Sequence, residues 1–254
     1  MKQNRIAISF TTLNHLKEAT DLSSYLQLEL LFNPNSVAAQ AYDYLLLFTP
    51  HYLGLQKVSD KKFTPFYIDF LSPQMRYRCA RASLRHELVA RAMGLRPSAN
   101  PYIIDATAGL GRDSFMLSIL GFHVTAIERS PIIYALLQDA LNRCVCAVTQ
   151  HPNLIFADAI DCLKKLSHDC HPDIIYMDPM FPERSKSALV KKEMIILQNL
   201  LGKEDDTDEL FNLALSCAKY RVVVKRPKFA SNIAECAPNF VITGRSSRFD
   251  VYLV

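Results

Sequence analysis

The sequence predicts an α/β fold: a mostly parallel sheet with helices on both faces, preceded by a smaller α/β lobe. Three observations carry this expectation. From Tyr102 onward, short apolar segments alternate with helix-length amphipathic ones, the pattern of a parallel sheet covered on both sides. Residues 1 to about 97 lack that rhythm. Between the two textures stand Gly94, Pro97 and Asn100-Pro101, which end a helix and mark a boundary. The expected division is therefore 1–97 and 98–254.

In the first part, Arg5–Phe10, Tyr42–Phe48 and the alternating Phe66–Leu71 are expected as strands, and Asn14–Leu26 and Cys79–Met93 as helices. In the second part, Tyr102–Ala106 is a short buried strand. A glycine turn and a helix to about Leu120 follow. Phe122–Glu128 is the next strand, and Ser130-Pro131 opens a helix to about Arg143, with serine suited to the cap and proline to the first helical position. Asn153–Ala157 and Asp173–Asp178 are strands, with a short helix at Ala159–Leu166 between them. Helices are expected over Ala188–Leu201 and after the acidic turn Glu204–Asp208. Strands at Arg221–Lys225, Asn239–Thr243 and Phe249–Val254 close the chain.

Composition supports a packed protein. The 254 residues are 50% hydrophobic and 21% charged, which excludes wholesale disorder, and seven glycines exclude collagen-like repeats. No apolar run approaches the roughly 20 residues of a membrane span, and the opening residues lack a signal-peptide core, so a cytoplasmic location is expected. Seven cysteines, irregularly spaced and without a CxxC pair, read as reduced thiols. Cys162, His168, Cys170 and His171 read as a polar loop and not as a zinc site, and no metal is expected.

The net charge is only +4, but 17 of the 29 basic residues are clustered. One cluster spans Arg76 to Arg96. The others are Arg184 to Lys192, Lys219 to Lys228, and Arg245 with Arg248. Gathered by the fold, these would make a phosphate-binding surface; scattered, they would be solvated helix faces.

In such sheets ligands bind beyond the carboxyl ends of the strands. The first parallel strand ends in Asp105-Ala-Thr107-Ala-Gly109-Leu-Gly111-Arg112-Asp113. Gly109 and Gly111 permit a tight turn and close approach of a nucleotide-type cofactor. Ser114 stands where a dinucleotide fingerprint needs a third small residue, and Asp105 and Asp113 would repel a pyrophosphate. They would attract a cofactor bearing an ammonium group and a sulfonium, which is S-adenosylmethionine. The next strands end in Glu128-Arg129, suited to ribose hydroxyls, and in Asp158-Ala159, suited to an adenine amine or to helix capping.

The fourth strand ends in Asp178-Pro179-Met180-Phe181-Pro182, which resembles the Asp/Asn-Pro-Pro-Tyr/Phe signature of amino-methyltransferases. A carboxylate at Asp178 and the Pro179 carbonyl would accept both N–H bonds of an exocyclic amine. That draws its lone pair out of conjugation with the ring, while Phe181 stacks on the base. Arg184, Lys186, Lys191 and Lys192 follow at once, and Lys225 and Arg226 end the fifth strand; with Arg248 they are candidates for RNA phosphates.

The runs Asp105–Asp113, Asp178–Met194 and Val222–Pro227, with Arg248-Phe249-Asp250, resemble the small-ribosomal-subunit methyltransferase J family. The resemblance implies a Rossmann-like class I methyltransferase with a seven-stranded sheet. It also implies methyl transfer to the exocyclic N2 of a guanosine near the 3′ end of 16S rRNA, as free RNA or in the 30S subunit. Arg112, Asp113, Glu128, Arg129, Asp158, Ala159 and Asp178 fall on the family's S-adenosylmethionine contacts, although members often carry two serines at positions 158 and 159. Three other classes compete: a methyltransferase acting on DNA or protein, an NAD-dependent oxidoreductase, and a non-catalytic RNA-binding module.

Overall fold

The computed structural model describes residues 4–60, 64–94, 101–144, 150–179 and 206–254. In chain order the elements are β1 (Ile6–Phe10), α1 (Leu16–Leu26), β2 (Leu30–Leu31), β3 (Tyr44–Phe48), β4 (Leu53–Lys57), α2 (Pro73–Arg81) and α3 (Leu88–Met93). Then follow β5 (Tyr102–Asp105), α4 (Arg112–Ile119), β6 (His123–Glu128), α5 (Pro131–Cys144), β7 (Asn153–Phe156) and α6 (Ala159–Lys165). The last are β8 (Ile174–Met177), α7 (Thr207–Cys217), β9 (Arg221–Pro227), β10 (Phe240–Thr243) and β11 (Ser247–Leu253).

These form two compact units. The first lies within residues 1–69 and takes in Pro131–Arg143; the second holds Phe70–Ser130 and the described residues from 144 onward. The first unit is a four-stranded sheet in the order β2-β1-β3-β4. β1 runs parallel to both neighbours, with Ile6–Phe10 registered on Tyr44–Phe48, and β4 turns back antiparallel on β3. The expected strand over Phe66–Leu71 is not one: only Phe66 bridges, to Leu55. Its alternation is nevertheless real, since Ile68 and Phe70 are buried. Period two reports burial and not a ladder, and the Ile68 carbonyl accepts from the Arg143 guanidinium instead of from a strand.

The second unit is a seven-stranded sheet in the order β10-β11-β9-β8-β5-β6-β7. β7, β6, β5, β8 and β9 are mutually parallel, and β11 inserts antiparallel between β9 and β10. The core shows why these strands are apolar without alternation. Ile104, Ile175, Met177, Val222 and Val224 face one layer with Leu163, Phe211 and Ala214 of α6 and α7. Their neighbours Ile103, Ile174, Tyr176 and Val223 face the other, with Val89, Met93 and Leu117 of α3 and α4. The central strands β5, β8 and β9 are buried on both faces, so period two divides their apolar residues between two cores.

The single helix expected over Cys79–Met93 is two. α2 begins earlier, with Ser72 accepting from the Met75 amide at 3.4 Å and Pro73 in the first turn. It stops at Ala82, which is extended, and α3 restarts after an extended Glu87. Ser83 occupies the gap, its hydroxyl accepting from the His86 amide at 3.2 Å, a local bond that competes with the helix. Both helices belong to the second unit, although they precede the expected boundary; Pro97 and Asn100 themselves lie outside the described residues. The expected helix over Ala188–Leu201 lies outside them too. No helix of the described residues is long and apolar enough to cross a membrane.

Candidate active site

Strand order reverses at β5, which has β6 on one side and β8 on the other, and that switch point is where an open α/β sheet leaves a crevice. Around it β5 ends in Asp105 and β6 in Glu128, Asp178 follows β8, and Lys225 lies near the end of β9.

Asp105 is 2% exposed. One carboxylate oxygen accepts the Thr107 amide at 3.0 Å, and the other accepts the Ser114 hydroxyl. Burial pushes its pKa up to about 7, against the pull of those two donors. The chain then turns through Gly109 (φ +52°) and Gly111 (φ +66°), and Gly111 caps α4 in the left-handed region that favours glycine. Glu128 pins the same turn. It is 5% exposed, and its carboxylate accepts the Gly109 amide at 2.8 Å and the Ser130 amide at 2.6 Å. Two acids on adjacent strands thus hold one loop.

Asp178 follows β8. Its amide donates to the Thr107 hydroxyl at 2.6 Å, joining the segment after β8 to the glycine turn. Its carboxylate accepts Lys225 Nζ at 2.7 Å, and the same ammonium reaches Asp113 Oδ2 at 2.8 Å. Asp113 also accepts the Tyr176 hydroxyl at 2.8 Å and lies 3.6 Å from Arg78, which is paired with Glu87 at 2.7 Å. Burial pushes the Asp113 pKa up, but Lys225, Tyr176 and Arg78 together hold it below the usual carboxylate range. Desolvation works against the Lys225 charge and is outweighed by Asp113 and Asp178, so its pKa is raised. Burial first, then the neighbouring carboxylates, keep the Tyr176 phenol protonated.

Asp158 accepts the Ile160 amide at 2.8 Å and caps α6, the local alternative the sequence allowed. Arg129 lies 2.5 Å from Asp206 and 3.8 Å from Asp158. Arg112 is exposed, Ala159 buried and Pro179 buried. Phe181, Arg184, Lys186, Lys191 and Lys192 lie outside the described residues. Of the other basic candidates, Lys225 bridges two carboxylates, and Arg226 is 4% exposed and donates to the Ser231 carbonyl. Arg248 grips Asp250 through Nε at 2.8 Å and the Lys228 and Ala230 carbonyls at 3.1 and 2.8 Å. Sequence reasoning missed Thr107, Tyr176 and Arg78 as members of the site. Thr107 had a signal, being the hydroxyl inside the glycine turn; Tyr176, inside a wholly apolar strand, had none.

The donor set fits S-adenosylmethionine. Asp105 ends β5 with Asp113 in the helix after it, Glu128 ends β6 and Asp158 follows β7, and an acidic rim suits a cation carrying an ammonium and a sulfonium while disfavouring a pyrophosphate. The glycine turn supplies close backbone approach, and α4 opens beside it. Fold and rim together define a class I methyltransferase domain.

Comparison with known proteins agrees. Residues 30–254 match the family model described as "Putative SAM-dependent methyltransferase". Ribosomal RNA small subunit methyltransferase J of Coxiella burnetii is 44% identical over 252 residues, covering 98% of this chain and 97% of the relative. The protein of that name from Thioalkalivibrio sulfidiphilus is 40% identical, covering 100% and 99%. A solved SAM-dependent methyltransferase from Neisseria gonorrhoeae superposes with a TM-score of 0.73 at 33% identity, covering 97% of this chain and 95% of that one. The chain belongs to the ribosomal RNA small subunit methyltransferase J family of SAM-dependent methyltransferases. S-adenosylmethionine is its cofactor.

Proposed function

We propose that this enzyme methylates the exocyclic N2 of a guanosine near the 3′ end of 16S rRNA. One observation carries the reading: Asp178 directly follows the strand beside the switch point, fixed by Thr107 through its amide and by Lys225 through its carboxylate. The names of the relatives, which are ribosomal RNA methyltransferases of the small subunit, support the substrate.

S-adenosylmethionine supplies a methyl group already activated on a sulfonium, so the protein's task is alignment. Asp105, Asp113, Glu128 and Asp158 form the acidic rim that holds the cofactor, with Gly109 and Gly111 as the turn and Arg112, Arg129 and Ala159 flanking it. Asp178 and the Pro179 carbonyl accept the two amine protons, aiming the nitrogen lone pair, and Phe181 stacks on the extruded guanine. Lys225 holds the Asp178 carboxylate in place. No strong base is required, because the methylated amine is acidic enough to lose its proton to water. In the second unit, Arg76, Arg81, Arg85 and Arg91 are exposed and are suited to backbone phosphates.

The test is transfer of labelled methyl from S-adenosylmethionine to unmethylated 16S rRNA, 30S subunits and 70S ribosomes in parallel, with Asp178→Ala as control. The expected product is label in guanosine N2 of 16S rRNA, absent with the variant. Binding of S-adenosylmethionine without label in any ribosomal substrate would overturn the reading and direct attention to DNA or protein.

A further inference from the structure

The sequence assigned Arg226 and Arg248 to RNA phosphates, but both guanidiniums turn inward and build a loop. Arg226 Nη2 holds the Ser231 carbonyl; Arg248 Nη1 holds the carbonyls of Lys228 and Ala230, and its Nη2 reaches the Asn232 side chain at 3.1 Å. The Ala230 amide closes a turn onto the Pro227 carbonyl at 3.0 Å, and the Lys228 amide donates to Ser246 at 3.1 Å. Residues 227–232 are thus fixed from several sides.

What this loop presents is Phe229, 92% exposed. A single exposed apolar side chain is ordinary; what sets Phe229 apart is that its loop is held from several sides and that cations flank the ring. Lys228 Nζ lies 5.6 Å from the ring centroid, leaving a cation beside an aromatic face. The Lys228–Ser246 bond brings the 244–246 turn alongside, with Arg245 exposed on it. The loop follows directly from β9, whose Lys225 touches Asp178, so it stands on the rim that carries the amine-orienting acid.

We propose that Phe229, with Lys228 and Arg245, is a stacking platform for an unpaired nucleotide of the RNA substrate next to the target base. An exposed ring flanked by cations is the means by which proteins hold a single strand: the base stacks on the ring and its phosphates meet the cations. This inference rests on the reading above that the substrate is RNA. It adds a nucleotide contact distinct from that assigned to Phe181.

The chain contains no tryptophan, so Phe229→Trp introduces a single indole as reporter. Titration with a mixed-sequence single-stranded oligoribonucleotide is expected to quench its emission. Phe229→Ala and Phe229→Leu are each expected to raise the KM for the ribosomal substrate by about tenfold or more, with kcat changed less than threefold and S-adenosylmethionine affinity unchanged. Phe229→Tyr is expected to behave as wild type. Unaltered emission at saturating RNA, or a Phe229→Ala enzyme with the wild-type KM, would overturn the proposal. So would a Phe229→Leu enzyme equal to wild type, since that marks apolar contact with a protein. If wild type methylates no ribosomal RNA yet RNA quenches the indole, the substrate reading fails and the platform stands.

Discussion

Replacing Lys225 by Met removes an ammonium shared by Asp113 and Asp178 while keeping most of the side chain's volume. Lys225 is 27% exposed and Asp113 14%, between a surface pair worth about 0–1 kcal/mol and a buried one whose breakage costs roughly 3–5 kcal/mol. Asp178 is 39% exposed and adds little to stability. Asp113 retains the Tyr176 hydroxyl and Arg78, which places the loss at about 2 kcal/mol. For a chain of this length that lowers the melting midpoint by roughly 4–8 °C. The pH dependence has a definite sign. Asp113 titrates below its unfolded value, so it contributes stability at neutral pH that is lost as pH falls through the folded pKa. Without Lys225 that loss begins at higher pH. Methyl transfer should fall about tenfold to a hundredfold in kcat, since a reacting group displaced by about 1 Å costs that much. Lys225→Arg should recover most of the stability and only part of kcat, its planar fork fitting two separate carboxylates poorly. The assays are thermal melting from pH 2 to 9 and methyl-transfer kinetics. The reasoning is refuted if Lys225→Met melts within 1 °C of wild type, keeps its acid limb and kcat, and instead shows weaker RNA binding with a shallower salt slope, the signature of a phosphate contact.

Three further expectations follow from the same geometry. Asp178→Ala should abolish turnover and leave the fold intact, because the Asp178 bond to Thr107 is made by the backbone; circular dichroism with S-adenosylmethionine titration checks the fold, and near-normal activity would sink the role. Asp105 titrates at about 7, above its unfolded value, so its ionisation destabilises the protein progressively as pH rises from about 4 to 7. Asp105→Asn should therefore gain stability relative to wild type between pH 5 and pH 8, and a constant difference in denaturant midpoint across that range would count against it. Arg248→Ala leaves Asp250, which is fully buried, without its bidentate partner and should cost about 3–5 kcal/mol, read as a shifted urea midpoint.

Much of the second unit was legible in the chain because its signals are local. Apolar runs of strand length, a glycine turn and Pro131 each act within a few residues, and the parallel strands formed close to their expected places. Asp105, Glu128 and Asp178 could be placed at strand ends because in a parallel sheet the end of a strand is itself a functional position. Local signals misled where a distant partner decides. Phe66–Leu71 alternates like a strand, but a strand exists only if a neighbour offers a ladder, and beyond Phe66 none among the described residues does.

Charge shows the same division most sharply. The sequence determined that Lys225, Arg226 and Arg248 are cations near functional strand ends; it could not say which way they point. Tertiary structure turned Lys225 onto two carboxylates, one in α4 and one just after β8, and Arg226 and Arg248 onto the carbonyls of a loop. The reason is physical: a desolvated cation is held only by partners that folding brings to it, and the residues meeting Lys225 lie 112 and 47 positions away. Composition and spacing determined the class of fold and set acids at the strand ends, whereas packing alone decided which charges are paired inside the site and which remain at the surface.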